Sequence, residues 1–290
     1  SGGDVSLTTS GAGAITTGDS AGTDVTGDDI TITAGSGGVG SGNFLRLAGA
    51  TITATTSGNG SINLVEADSI TLAAGGLNAG TGAIGFAGGT FTLGGSNRIN
   101  DAADVGVYSG ATLALGTNTE TIDQLILTSG SVTGSGAGAL TGTSTFDVRN
   151  GSISAILAGS VGLTKTTGGT VTLSGNNTYS GATTVSLGTL SVTGTLSNST
   201  DVSVAGGATY DVGNSDTIDG LSGTGNVTLG ANTLTVGGNN QGATDFGGVI
   251  SGSGGALTKT GSGNQTLSGN NTYTGTTTIS QGTLALSGAF

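Results

Sequence analysis

The feature that most constrains the fold is a segment of 28 residues that occurs twice. "LTKTTGGTVTLSGNNTYSGATTVSLGTL" covers residues 163–190, and "LTKTGSGNQTLSGNNTYTGTTTISQGTL" covers residues 257–284. The repetition extends upstream, since "VGVYSGATLALGTNTETID" from Val105 matches "VSVAGGATYDVGNSDTID" from Val202 with one residue deleted. Such recurrence is typical of architectures in which similar units stack on one another and share a core.

The repeats divide the chain into three predicted segments. Residues 105–198 and 199–290 form two tandem repeat units, whereas residues 1–104 show only a shorter rhythm of pieces such as "DDITITAG" and "DSITLAAG". We expect short-period coils in the first segment and one longer repeat unit in each of the other two.

Short alternating runs predict a chain that is almost entirely β. Each run holds three to five residues of alternating apolar and polar type, which is the period of a strand. Nearly every run ends at Gly, Asn, Asp or Ser, the residues that form turns. No segment shows a sustained helical period.

Composition selects among the β architectures. A β-sandwich requires longer strands and bulky inner residues, and a silk-like or collagen-like fibre requires a strict short period. Stacked coils of about 20 residues suit small aliphatic side chains inside and Gly or Asn at the corners. The absence of Pro agrees, because Pro cannot donate to an interior ladder. We therefore predict an all-β, right-handed parallel β-helix (β-solenoid) that forms a single elongated rod.

The charge balance disfavours several partners. The 290 residues carry a formal net charge of −12, from 17 acidic and 5 basic side chains. Five scattered bases cannot supply the phosphate contacts of non-specific nucleic-acid binding, so we expect no nucleic acid and no anionic membrane surface as a partner. The chain has no apolar run of about 18 residues, the length of a membrane span. It also lacks Met and a signal-peptide pattern at its start, so we expect a processed product or a segment of a longer chain.

The repeated stretches resemble a known family. The order of "ISGSG", "LTKTG", "TLSGNNTYTG" and "GTL" in the second copy is similar to the passenger-associated repeat of bacterial autotransporters. Residues 1–104 are more loosely similar to filamentous-haemagglutinin-type repeats. The resemblance implies a surface-exposed or secreted β-helical protein of Gram-negative type bacteria, used in adhesion, aggregation or as a stalk.

The residue types offer little for catalysis. His and Cys are absent, and most carboxylates stand singly in turn contexts, where Asp side chains bond the neighbouring backbone. We assign no catalytic, cofactor-binding or metal-binding residue and expect no cofactor. The densest acidic stretch supplies Asp19, Asp24, Asp28 and Asp29, whose oxygens suit Ca²⁺. The alternative is a set of turn-capping aspartates that face solvent, and the sequence leaves the choice open.

The repeated "SGNNTY" segment supplies two pairs of amides, Asn176 with Asn177 and Asn270 with Asn271. One interpretation is glycan binding through these amides. The other, which we favour, is a turn in which Asn adopts a left-handed φ and bonds the backbone.

Three further pairs of residues recur between the copies. They are Lys165 with Lys259, Leu173 with Leu267, and Tyr179 with Tyr273. We expect the lysines to be solvated, with an ion pair between subunits as the alternative. The leucines should face inward from the middle of a strand. The tyrosines should cover the apolar flank of the solenoid and not contact a partner.

Three functional hypotheses follow from these observations. The first is a non-enzymatic stalk or adhesin at the bacterial cell surface or outside the cell, which contacts a host or neighbouring-cell surface. The second is a subunit of an extracellular filament, because the strand edges near Ser1 and Phe290 lack the Pro, Lys or covering helix that blunts natural edges. The third is a glycan-active β-helix enzyme, which requires a cleft with clustered acids.

Overall fold

A computed structural model describes residues 3–17, 22–240 and 244–288. Their regular structure is entirely β, with no helix among them, and so with no helix of the length and apolarity that crossing a membrane requires. The chain divides into two compact units, Ser1–Ser144 and Thr145–Phe290. The three segments proposed from the sequence repeats stay a prediction.

The first unit contains the strands β1 to β13. They are β1 (Val5–Thr8), β2 (Val25–Ala34), β3 (Leu45–Thr56), β4 (Ile62–Glu66), β5 (Ser69–Asn78), β6 (Ile84–Ala87), β7 (Thr90–Leu93), β8 (Val105–Val107), β9 (Thr112–Gly116), β10 (Thr119–Ile122), β11 (Leu125–Leu127), β12 (Ser131–Gly134) and β13 (Ala139–Gly142).

The second unit contains the strands β14 to β32. They are β14 (Phe146–Val148), β15 (Gly151–Ile153), β16 (Ile156–Ala158), β17 (Leu163–Lys165), β18 (Thr170–Leu173), β19 (Thr183–Val185), β20 (Thr189–Val192), β21 (Val202–Val204), β22 (Thr209–Val212), β23 (Asp216–Ile218), β24 (Leu221–Gly223), β25 (Asn226–Thr228), β26 (Thr233–Val236), β27 (Thr244–Phe246), β28 (Val249–Ser251), β29 (Ala256–Lys259), β30 (Asn264–Leu267), β31 (Thr277–Ile279) and β32 (Thr283–Leu286).

The strands pair in parallel with counterparts about one coil away along the chain. In the second unit, Leu163 of β17 pairs with Thr183 of β19, and Thr183 pairs with Val202 of β21, so paired residues lie about 20 positions apart. In the first unit, Ile84 of β6 pairs with Val105 of β8 at a similar distance along the chain. The predicted parallel β-solenoid is therefore confirmed.

The core of the second unit is a set of inward-facing stacks. Val171, Leu190, Tyr210, Val227 and Ile250 follow one another in register along one stack, and each is fully buried. The strands that carry these residues bury alternate side chains, as the pattern of period two predicts. Burying each such side chain contributes about 1.5–3 kcal/mol to stability.

Leu173 and Leu267 also point into the interior, where both are fully buried. The inward assignment made from the repeat is thus confirmed.

The first unit uses the same principle with two aromatic residues in its core. Ile70 pairs with Phe91, and Phe91 pairs with Leu113, all of them buried. Phe86 packs on Phe91 with ring centroids 4.5 Å apart. These rings occupy the part of the core that aliphatic side chains such as Ile70 and Leu113 occupy in neighbouring coils.

Glycine at one repeated corner is required for two reasons. Gly188 has φ +69, and its counterpart Gly282 has φ +75, a backbone region that L side chains rarely adopt. A Cβ at Gly188 would lie 2.3 Å from the carbonyl oxygen of Gly169, and one at Gly282 would lie 2.4 Å from that of Gly261. The recurrent "GTL" therefore marks a corner where consecutive coils approach too closely for any side chain.

Candidate functional site

The repeated amides do not form a surface site in the first copy. The Asn177 side chain is buried, at 3% exposure. Its Oδ1 accepts a hydrogen bond from the Leu157 amide at 3.1 Å, and its Nδ2 donates to the carbonyl oxygens of Gly175 and Thr195 at 2.9 and 3.0 Å. This one side chain therefore ties together three coils of the second unit.

The second copy repeats this arrangement. Asn271 is 4% exposed. Its Oδ1 accepts from the Ile250 amide at 2.9 Å, and its Nδ2 donates to the carbonyl oxygen of Gly269 at 3.1 Å. The preceding residues, Asn176 and Asn270, are exposed.

The amide interpretation from the sequence is correct in one part and wrong in the other. Side-chain bonding to the backbone is confirmed. The left-handed φ is wrong, because the non-glycine residues with positive φ in the described chain are Asn97 and Asn240. Asn177 and Asn271 keep ordinary backbone angles because the neighbouring coils supply their partners, and no local turn is needed.

The predicted solvation of Lys165 and Lys259 is wrong. Lys165 is fully buried and Lys259 is 2% exposed. The Nζ of Lys165 donates to the carbonyl oxygens of Thr167 and Leu187, the latter at 3.1 Å. The aliphatic stem of a lysine packs readily along apolar surface, while these two backbone carbonyls take the place of water at the ammonium group.

The equivalent lysine also bonds backbone carbonyls, but both belong to the two residues that follow it. The Nζ of Lys259 donates to the carbonyl oxygens of Thr260 and Gly261, the latter at 2.9 Å. Burial lowers the pKa of both lysines, and Asp147 near Lys165 and Asp219 near Lys259 act against that shift. Both ammonium groups therefore serve as internal braces of a corner.

The two repeated tyrosines differ in their surroundings. Tyr179 is fully buried. Its ring packs edge-to-face on Phe146, with ring centroids 6.1 Å apart, and its Oη lies 2.7 Å from the Oγ1 of Thr183. It fills the interior and does not cover a flank, which corrects the prediction for this residue. Tyr273 is partly exposed and makes the equivalent contact to Thr277 at 2.6 Å. Burial raises the pKa of Tyr179 well above its usual range.

The acidic stretch of the first unit is not assembled into a metal site by the described residues. Asp24 accepts from the Arg46 amide at 2.8 Å, and Asp29 accepts from the Thr51 hydroxyl at 2.7 Å. Asp28 is exposed, and Asp19 lies outside the described residues. Across residues 3–17, 22–240 and 244–288, no group of three or more His, Cys, Asp or Glu side chains could hold a metal ion.

Four carboxylates in the described part of the chain are buried, Glu66, Glu120, Asp216 and Asp219, and the sequence identified none of them as buried. Glu120 is 1% exposed, and its two oxygens accept from the amides of Arg98 at 2.7 Å and Ile99 at 3.2 Å. Burial raises the pKa of Glu120 to about 7, despite these hydrogen bonds. Asp216 is 6% exposed, accepts from the amides of Leu196 and Thr217, and has a pKa raised by burial. Nothing in their turn-like contexts distinguishes them from solvated acids.

An acidic cleft lies on the first unit. Its lining includes Asp101, Asp104 and Asp123, around a volume of about 400 Å³. Asp123 accepts from the hydroxyls of Thr143 at 2.7 Å and Ser144 at 2.6 Å, which lowers its pKa, whereas burial and then Asp123 raise the pKa of Asp104. Neighbouring carboxylates with different pKa values are a feature of acid–base sites. The acidic cleft is therefore the site at which the enzyme hypothesis can be tested.

A second concave feature of the first unit is an aromatic groove. We define it by its lining residues, Gly40, Gly42, Asn43, Phe44, Asn63 and Tyr108, around a volume of about 230 Å³. Phe44 and Tyr108 meet edge-to-face, with ring centroids 5.5 Å apart and an interplanar angle of 78°. The two residues are 64 positions apart in the chain, so no local pattern in the sequence could have identified this pair.

Comparison with known proteins supports the resemblance drawn from the sequence. The passenger-associated-transport-repeat family matches the chain twice, over residues 163–192 and 257–286. No curated protein matches the chain significantly. No solved structure matches it significantly either. Two segments of the chain are therefore similar to passenger-associated transport repeats, and both lie in the second unit.

Proposed function

We propose that this protein is a non-enzymatic structural solenoid that acts outside the cell or at the bacterial surface, as a stalk or an adhesin. The observation that carries this proposal is the position of the two passenger-associated transport repeats. Each repeat provides stacked coils of a parallel solenoid. Passenger proteins with such repeats are secreted or exposed at the cell surface. A passenger built from such coils suits projection from a cell.

The chemistry of the repeats supports a structural role. In the first copy, Lys165 and Asn177 are buried and bonded to backbone groups of neighbouring coils, and the buried Tyr179 bonds Thr183 within its own coil. In the second copy, Asn271 accepts from the Ile250 amide of a neighbouring coil, whereas Lys259 donates to the carbonyl oxygen of Gly261, two residues later in its own coil. Asn177, Asn271 and Lys165 thus hold neighbouring coils together.

Surface display tests the proposal directly. The 290 residues would be placed between a signal peptide and an autotransporter translocation domain in a laboratory Gram-negative strain, with an epitope tag at the amino end. Intact cells should bind antibody to the tag, lose the tag to external protease, and adhere or aggregate more than cells that display the translocation domain alone. A correctly folded chain that stays inside the cell, or displayed cells with no gain in adhesion or aggregation, would contradict the proposal.

A hydrolysis screen tests the enzyme hypothesis separately. The purified protein would be incubated with a panel of polysaccharides, and new reducing ends would be measured. We expect no release. Release that is lost in Asp104→Asn or Asp123→Asn would place an acid–base site in the acidic cleft and overturn the non-enzymatic proposal.

A second candidate function, a filament subunit, is supported by the last described coil. Ile279 of β31 and Leu286 of β32 are 55% and 50% exposed. Their register partners, Lys259 and Leu267, are buried, so both occupy inward positions that the described coils leave uncovered. A strand edge of this kind accepts another strand by backbone pairing, and a second copy of the chain would supply one.

The size of the particle in solution tests this candidate. Light scattering should show growth with protein concentration that persists at high salt, because backbone pairing is little affected by screening. Ile279→Lys should prevent growth, whereas Leu187→Lys, which alters an equally exposed leucine at 52%, should not. A chain that stays monomeric at high concentration would exclude the filament.

A further inference from the structure

We propose that the aromatic groove is a binding site for an uncharged pyranose ring of a glycan. This assignment goes beyond the stalk or adhesin role and does not depend on it, because binding is measured on the purified protein. The site has walls of aromatic rings, which lie over glycines of the sheet, and a rim of neutral amides.

The walls suit the apolar face of a sugar. Tyr108 is 37% exposed, more than any other aromatic side chain among the described residues, and Phe44 is half-buried beside it. The face of an aromatic ring carries partial negative charge, and the C–H groups on one face of a pyranose carry partial positive charge. Two rings at 78° to each other form a corner that contacts one sugar ring from two sides.

The aromatic pair lies over two buried glycines of the sheet, Gly85 and Gly106. Asn63 pairs with Gly85, and Gly85 pairs with Gly106, so the three occupy one row of outward-facing positions. A Cβ at Gly85 would lie 3.2 Å from both aromatic rings, and one at Gly106 would lie 2.7 Å from the ring of Tyr108. Neither glycine has a positive φ, so the backbone does not require glycine there. The missing side chains instead make room for the aromatic pair.

The rim identifies the ligand as neutral and rich in hydroxyl groups. Asn43 and Asn63 present amides, which both donate and accept. The Asn63 amide makes only a long contact, 3.5 Å from its Nδ2 to the Gly40 carbonyl oxygen. No lining residue is charged, so a charged ligand would lose hydration without gaining an ionic partner. At about 230 Å³ the groove is smaller than the roughly 300–1,000 Å³ of drug-sized pockets, which suits a single ring.

Aromatic corners also bind quaternary ammonium groups through cation–π contacts. Such a site gains from a nearby carboxylate, and none lines this groove. The observations therefore favour the sugar, and choline serves as the probe for the other class.

The experiment is saturation-transfer difference NMR on the full chain. The probes are maltose, lactose, cellobiose and N,N′-diacetylchitobiose, with sialyllactose and choline chloride as charged comparisons. We expect at least one neutral disaccharide to receive saturation, and the charged probes to receive none. Titration of the strongest neutral probe then gives its dissociation constant.

Three variants locate the site. Tyr108→Ala should weaken binding by about tenfold or more, since aromatic anchors dominate such contacts. Asn43→Ala removes one exposed amide and should weaken binding several-fold. Leu187→Ala, an exposed apolar residue of the other unit, should bind as the wild type does. Circular dichroism of each variant checks that the solenoid is intact.

Each outcome decides the assignment. Binding of a neutral disaccharide that is lost in Tyr108→Ala and retained in Leu187→Ala supports it. Absence of binding by all four disaccharides overturns it, as does binding that Tyr108→Ala leaves unchanged. Binding of choline alone overturns it in favour of a cation site. None of these results bears on surface display, so this proposal and the proposed function fail independently.

Discussion

Replacing Asn177 with Ala should destabilise the second unit far more than replacing its neighbour Asn176. The Asn177 side chain accepts from the Leu157 amide and donates to the carbonyl oxygens of Gly175 and Thr195. Truncation leaves the Leu157 N–H buried without this partner, at a cost of about 1–3 kcal/mol, and removes two donated bonds of about 0.5–1.5 kcal/mol each. We therefore expect a loss of about 4 kcal/mol in the free energy of unfolding.

Asn176→Ala is the matched control. Its side chain is exposed and makes only a long contact, 3.5 Å from the Thr195 hydroxyl to its Oδ1. A surface substitution of this kind changes stability by about 0.5 kcal/mol or less. The two variants have the same composition and differ only in which of two adjacent amides is lost.

Urea unfolding followed by circular dichroism measures both variants, and hydrogen exchange of the peptide containing Leu157 gives the local readout. We expect a clear fall in the urea midpoint and faster exchange at Leu157 for Asn177→Ala alone. Asn271→Ala should repeat the result, with exchange now faster at Ile250. Equal effects of Asn176→Ala and Asn177→Ala, or a loss below about 1 kcal/mol for Asn177→Ala, would refute the proposed role of this amide.

Three other predictions concern buried groups. The pKa of Glu120 is raised to about 7 by burial, so its contribution to stability is fully present below about pH 4.5 and is lost as the pH rises through 7. The loss is about 3 kcal/mol, and urea midpoints measured from pH 4 to 8 should show it in the wild type but not in Glu120→Gln. Lys165→Met should lower the free energy of unfolding by about 1–3 kcal/mol, because two buried carbonyls lose their donor; an unchanged urea midpoint would show that water replaces the ammonium. Leu173→Asp and Leu267→Asp should each cost several kcal/mol through an unpaired charge in the core, and an unchanged melting temperature in both would contradict their inward orientation.

The sequence by itself determined the periodic features of this protein. Alternation with period two and turns at Gly predicted short strands and the inward orientation of Leu173 and Leu267, and composition with the repeats predicted parallel coils of about 20 residues. The inward orientation is a property of a short segment, because a strand's two faces are set by neighbouring residues in the chain. The recurrence of the 28-residue segment likewise indicated stacking before any contact was known.

Only the tertiary structure decided what the polar residues do. We expected Lys165 to be solvated because lysine side chains are rarely buried in proteins. The carbonyl oxygen of Leu187, 22 positions later, instead accepts a hydrogen bond from its ammonium group. The sequence context of Glu120 is typical of an exposed acidic residue in a turn. In the structure, the backbone amides of Arg98 and Ile99 in a preceding coil donate hydrogen bonds to its buried carboxylate. The Phe44–Tyr108 corner joins residues from well-separated coils. Whether a polar side chain is buried depends on whether another coil provides a hydrogen-bond partner for it. The register of stacking decides which residues of successive coils meet, and a single stretch of sequence does not contain that register.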